Sequence, residues 1–138
     1  INTWVEGYGV GGHATLDIPN SLGCLRCAYV DSLDFSRGLV SNLNFLKPDQ
    51  SLTKNMAGCG NAFLPYSNLS AIQTALITSS LASKFLLGEI SHSSKVSWKG
   101  SSTEVTSNGF ELTDRYHAFT KPLEVLPLLN SGCDICNA

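Results

Sequence analysis

Two cysteine pairs constrain this chain more than anything else in it: Cys24-Leu25-Arg26-Cys27 and Cys133-Asp134-Ile135-Cys136. Each has the two-residue gap that lets both sulfurs turn toward one point, and four thiolates around one ion make a closed tetrahedral zinc site. One such pair says little. Two, with no other paired cysteines in the chain, single out one site. The interval between them, residues 28 to 132, is far longer than the roughly 15–20 residues of a compact zinc ribbon. The spacing therefore predicts a clip that ties a late segment onto an early one, with Cys24, Cys27, Cys133 and Cys136 as ligands. Disulfides in a secreted protein, or redox-active pairs, are the alternatives. No signal peptide or apolar span precedes Cys24, which favours a reducing, cytoplasmic compartment.

At 138 residues the chain fits one domain, residues 1–138, with a real core. Only 14% of its residues are charged and the formal net charge is −2. With no basic stripe, nucleic acid and an anionic membrane are poor partners. So low a charge count also suggests that much of the surface is covered by another body. Ile1 is not an initiator methionine, so the chain is expected to be cut from a longer protein. A fifth cysteine, Cys59, belongs to neither pair.

The chain opens with two predicted strands, Thr3-Trp4-Val5 and the alternating His13-Ala14-Thr15-Leu16-Asp17-Ile18, around a glycine-rich turn. Gly7, Gly9 and Gly12 match a phosphate-loop spacing, but that loop must open a helix. Here an alternating segment and Pro19 leave no room for one. Residues 28 to 57 lack periodicity and read as a long crossing loop. One long helix follows, roughly Ser67 to Leu87, with Ser67 or Asn68 as cap and Gly88 at its end. Lys84 is its only charge, and a helix so uncharged should be buried on several sides, between a sheet and another body. Its Ser, Thr, Gln and Asn content argues against a membrane span. Val96-Ser97-Trp98-Lys99 reads as a strand. Thr103 to Leu112 reads as a second strand region, and Asp114 to Phe119 as its continuation or a loop. Pro122 and Pro127 bound an extended tail carrying the second cysteine pair.

The order of these features resembles the C-terminal half of the ThiF/MoeB/HesA family, bacterial relatives of ubiquitin-activating enzymes. The residues that carry the resemblance are Gly23-Cys24-Leu25-Arg26-Cys27, Gly58-Cys59-Gly60, Ala71-Ile72-Gln73-Thr74-Ala75 and Gly132-Cys133-Asp134-Ile135-Cys136. The stretch Gly58 to Tyr66 looks especially like members beside or fused to ubiquitin-conjugating-like domains. The resemblance implies an α+β portion of a Rossmann-like α/β fold, with β-hairpins around one long buried helix and a four-cysteine zinc clip. It implies a parent enzyme that uses ATP and magnesium to adenylate the C-terminus of a ubiquitin-like protein. Cys59 would be the acceptor that takes the acyl group as a thioester, while Cys24, Cys27, Cys133 and Cys136 would be structural zinc ligands. The family's nucleotide-binding strand–helix units cannot be placed here, so the isolated chain is expected to be inactive. A ubiquitin-like protein, a conjugating-like domain and a second copy of the chain are the implied partners.

The chemistry suits Cys59, whose glycine neighbours leave a thiolate accessible. A small buried cysteine is the plainer reading. His13, His92 and His117 are scattered and read as sheet or turn residues. Arg26 is expected to face solvent or bond locally, Asp31 and Asp34 to solubilise the loop, and Trp4, Trp98 and Phe110 to fill the core. The competing function is a zinc-stabilised protein-binding module with no chemistry; a thiol–disulfide protein is a third.

Overall fold

The computed structural model describes residues 1–29, 41–55 and 62–136. Its centre is a four-stranded sheet in the order β1-β2-β5-β6, built from β1 (Asn2–Val5), β2 (Gly11–Leu16), β5 (Ser94–Lys99) and β6 (Leu126–Pro127). Every neighbouring pair is antiparallel. A separate two-stranded ribbon joins β3 (Lys54–Asn55) to β4 (Ala62–Phe63). The helices are α1 (Asn68–Leu86), α2 (Thr103–Ser107) and α3 (Asp114–Ala118).

All six residues of β2 are buried, so both faces of the sheet are covered. On one face Ala14, Leu16, Val96 and Trp98 pack against Ile77 and Leu81 of α1. On the other, Tyr8, Val10, Phe45, Leu46, Val105 and Tyr116 form a second cluster beneath the crossing segment and the two short helices. A third cluster joins Ala28, Leu43 and Leu128 to Cys27 and Cys133.

The glycines near the start are packing devices. Gly12 pairs with Trp98 in the sheet, and a Cβ there would lie 2.1 Å from Thr74 Oγ1 and 2.4 Å from Trp98 Nε1. Glycine thus lets α1 sit close to the sheet, where Trp98 Nε1 donates to Thr74 Oγ1 at 2.7 Å. Gly9, at φ +66°, turns the chain directly into strand β2, so the segment after the glycines is a strand, as its alternation predicts.

Helix α1 follows its signals closely. Ser67 Oγ accepts the Ser70 N–H at 3.1 Å, satisfying one of the free donors at the helix start. At the other end Gly88 takes φ +75°. The N–H groups of Gly88 and Glu89 return to the carbonyls of Phe85 and Lys84, the paired bonds of a Schellman ending. Burial on several sides does not hold within this chain. Ser70, Thr74, Ile77 and Leu81 are buried, while Leu69, Ile72, Leu76 and Leu86 are exposed, because the sheet covers only one side. No described helix is long and apolar enough to cross a membrane.

The segment after β5 departs from expectation. Thr103 to Ser107 is helix α2, Gly109 turns at φ +76°, and only Leu112 makes a strand-like bridge, to Leu46. Asp114 to Ala118 is helix α3, capped by Thr113 Oγ1. The β-branched residues at 103, 105 and 106 favour a strand locally. One edge of β5, however, is paired along its whole length with β2; on the other, β6 takes Ser94 and Lys95 and the Leu123 N–H donates to the Ser97 carbonyl, so the returning tail, not the segment after β5, uses that edge. The short segments instead cap the second apolar cluster.

Candidate metal centre

The two cysteine pairs meet. Cys24, Cys27, Cys133 and Cys136 place their four sulfurs within 4.8 Å of one another, and none of the four forms a disulfide. A zinc ion about 2.3 Å from each of four sulfurs sets tetrahedral edges of about 3.8 Å. The Cys24–Cys27 and Cys24–Cys133 separations are 3.9 and 3.7 Å. Cys27–Cys136, at 3.2 Å, is shorter than that edge but well beyond a bonded pair at about 2.05 Å. The donor set and its size fit a closed four-sulfur site.

Local structure aims each pair. Gly23 precedes the first at φ +81°, and a Cβ there would meet the Leu128 carbonyl oxygen at 2.0 Å. Only glycine allows the tail to pass this close. Leu25–Ala28 then forms one 3-10 turn in which Cys27 N donates to Cys24 O at 3.0 Å, and Asp17 Oδ1 accepts the Leu25 N–H. The second pair follows an asparagine turn: Gly132 N donates to Asn130 Oδ1 and Cys133 N to Asn130 O. The tail reaches this position because β6 pairs with β5 and Leu128 N donates to Ser93 O. Arg26 Nε donates to Asp134 Oδ1 at 3.1 Å, so the middle residues of the two motifs are also joined. The bond spans 108 residues, so Arg26 joins the two motifs rather than bonding within its own segment.

The thiols are electrostatically unequal. Burial pushes Cys133 up, but the N–H groups of Cys136 and Ile135 outweigh it and leave its pKa at about 7. Burial raises Cys24. Bonds with the Cys27 and Cys133 thiols, then burial, raise Cys136. A cation bound by the four sulfurs would displace their thiol protons as it binds.

A second polar constellation, not anticipated from the sequence, holds the crossing segment. The buried carboxylate of Glu6 accepts the Phe45 N–H at 2.6 Å and the Leu46 N–H at 2.8 Å. It also contacts His13 Nε2 at 2.6 Å, and His13 Nδ1 lies 2.8 Å from Ser97 Oγ. His13 faces Ser97 across the β2–β5 ladder. Arg115 of α3 donates to the Leu43 carbonyl and, at 3.3 Å, to Ser97 Oγ. Its guanidinium lies over the rings of Phe45 and Phe119, and burial pushes its pKa down to about 10. With His13 and Ser97 at 0% and 2% exposure, this array is a structural tie rather than an open catalytic triad. Its members are scattered along the chain at 6, 13, 97 and 115, with no spacing signal to reveal them.

Cys59 lies outside the described residues, as do Asp31 and Asp34. Residues 55 and 62, which flank the Cys59 segment, pair in the β3–β4 ribbon. His92 is half-buried in a bend, and His117 is exposed on α3. Trp98 is buried in the core, while Trp4 and Phe110 are partly buried against it. Comparison with family models, curated proteins and solved structures found no match.

Proposed function

We propose that Cys24, Cys27, Cys133 and Cys136 hold one structural zinc ion, and that the chain is the acceptor and docking portion of an adenylating enzyme of the ThiF/MoeB/HesA type. The observation that carries the metal reading is the convergence of two Cys-x-x-Cys pairs, 109 residues apart pair to pair, on one set of sulfurs. Four thiolates leave zinc no open position, so the ion would have no catalytic water and would serve the fold. Its mechanical effect would be to lock the tail, through Leu128 and β6, against the sheet.

The enzyme reading is supported by the order of the cysteine motifs and by the position of Cys59 ahead of α1. In this reading the parent binds ATP and magnesium elsewhere and forms an acyl-adenylate on a ubiquitin-like protein. The Cys59 thiolate attacks the acyl carbon and AMP leaves, giving a thioester. The Rossmann-like portion of the parent fold would belong to the same reading.

Two measurements test the two parts separately. Metal analysis of the purified chain should give one zinc per chain, retained until denaturation or thiol modification. No zinc, with thiols missing from the titration, would mean disulfides and end the metal reading. In the parent protein, ATP-dependent formation of a reducible conjugate with its ubiquitin-like partner should vanish in Cys59→Ser and persist in Cys59 wild type. A conjugate unaffected by Cys59→Ser would remove the acceptor role, and no pyrophosphate exchange in the parent would remove the adenylation reading.

A further inference from the structure

Of the chain's six lysines, five have a polar partner. Lys47, Lys84 and Lys121 face carboxylates, Lys54 faces the Asn108 amide oxygen, and Lys99 donates to the carbonyls of Tyr116 and Phe119. Lys95 is half-buried, and its ammonium has no hydrogen bond or ion pair among the described residues. An ammonium drawn out of water without a partner is costly, so the position calls for a counter-charge. Burial, then the Arg115 guanidinium, lowers the Lys95 pKa, while Cys27 raises it. Lys95 thus feels a cation on one side and a sulfur of the candidate metal centre on the other.

The sheet explains this placement. Lys95 stands in β5 opposite Thr15 of β2 and Leu126 of β6. Val96 packs toward α1, and alternation along a strand turns Lys95 to the other face, the side of the crossing segment. Both cysteine motifs are fastened at Ser93, just before β5. The Ser93 N–H donates to the Leu22 carbonyl, ahead of the first pair, and the Leu128 N–H donates to the Ser93 carbonyl, ahead of the second. Leu128 in turn packs with Cys27 and Cys133. The start of β5 therefore borders the four-sulfur site. Four thiolates around one zinc ion carry a double negative charge. Arg26 offsets little of it, because its guanidinium is paired with Asp134. Among the described residues Lys95 is the cation near the site with no carboxylate of its own.

We propose that Lys95 is the counter-charge of the loaded metal centre: its ammonium offsets the excess negative charge of the zinc tetrathiolate on the Cys27 side and so tightens the hold on the ion. The inference rests on the zinc reading and is independent of the enzyme reading. Residues that support metal ligands from outside the coordination shell contribute about 10–100-fold to affinity, and a half-buried ammonium belongs at the lower end. The test is the zinc affinity of the purified chain, by competition with a chromophoric chelator at neutral pH, for wild type, Lys95→Met, Lys95→Arg and the exposed control Lys121→Met. Methionine keeps the length and apolar stem of lysine without its charge, whereas arginine keeps the charge and adds bulk. Lys95→Met should bind zinc about tenfold more weakly, while Lys95→Arg and Lys121→Met should stay close to wild type. A packing role would give the reverse order, with methionine tolerated and arginine harmful. Added salt should narrow the gap between wild type and Lys95→Met, because screening weakens the ammonium's effect. Circular dichroism of the zinc-loaded chain checks the fold, and Lys95→Gln repeats the neutral substitution where methionine disturbs it. A wild-type chain that holds one zinc while Lys95→Met binds it as tightly overturns this proposal alone, as does the reversed order. A wild-type chain that holds no zinc overturns the zinc reading along with it.

Discussion

Replacing Glu6 with alanine should detach the crossing segment from the sheet. Glu6 is 4% exposed and accepts two backbone N–H groups, from Phe45 and Leu46, besides contacting His13. Alanine leaves those two buried donors without an acceptor, at about 1–3 kcal/mol each. The gross range is thus about 2–6 kcal/mol, similar to that for breaking a buried ion pair by removing one partner. Some of the loss is recoverable. Glu6 borders a cleft lined by Asn44, Leu46 and Lys47, through which water can reach the freed N–H groups. The expected cost is therefore about 3 kcal/mol. Glu6→Gln keeps one acceptor oxygen but turns an amide against the other N–H, and should cost roughly half as much. Urea unfolding of metal-loaded protein measures both. With a slope near 2 kcal/mol per molar, Glu6→Ala lowers the midpoint by about 1.5 M. Hydrogen exchange at Phe45 and Leu46 should accelerate beyond the global change. A Glu6→Ala cost below about 1 kcal/mol, at unchanged zinc content and slope, would refute the claim that this carboxylate holds the segment.

Stability should fall with acid through His13. Burial, the largest influence, and Arg115 hold its pKa below 6.5 despite the neighbouring Glu6. The unfolded chain therefore takes up this proton first, and stability declines as the pH drops below about 6.5, by at most about 1.4 kcal/mol per pH unit. His13→Gln should flatten that part of the curve in a series of urea melts. Gly12→Ala forces a methyl into Thr74 and the Trp98 indole and should cost at least about 2–3 kcal/mol, seen as a lower melting temperature. Thr15→Val should stabilise by about 1 kcal/mol in the same assay. Among the described residues the Thr15 hydroxyl is the one buried side-chain polar atom without a partner. Cys133→Ser should abolish stoichiometric zinc and release the tail, which limited proteolysis would report as new cleavage after Leu128. Retention of one tightly held zinc in this variant would contradict the four-sulfur site.

The sequence by itself determined the features whose cause is local. The Cys-x-x-Cys spacing brings two sulfurs to one point whatever surrounds them, so the four candidate ligands were legible from the chain. Ser67 and Gly88 mark the ends of α1 through backbone donors and acceptors that only nearby residues can satisfy, and the alternation in His13 to Leu16 marks β2. Tertiary structure decided what depends on competition for neighbours. Thr103 to Ser107 has strand-like residues but becomes a helix that caps the second apolar cluster, while β2 and the returning tail from Leu123 to Pro127 bond to the two edges of β5. The Glu6–His13–Ser97–Arg115 tie exists only because the sheet register and the crossing segment bring together residues with no sequence relation. Uncharged composition showed that α1 packs on its neighbours, but not which side the sheet takes. That partition follows from Gly12, which admits the Thr74 side of the helix to the sheet and leaves Leu69, Ile72 and Leu76 facing outward.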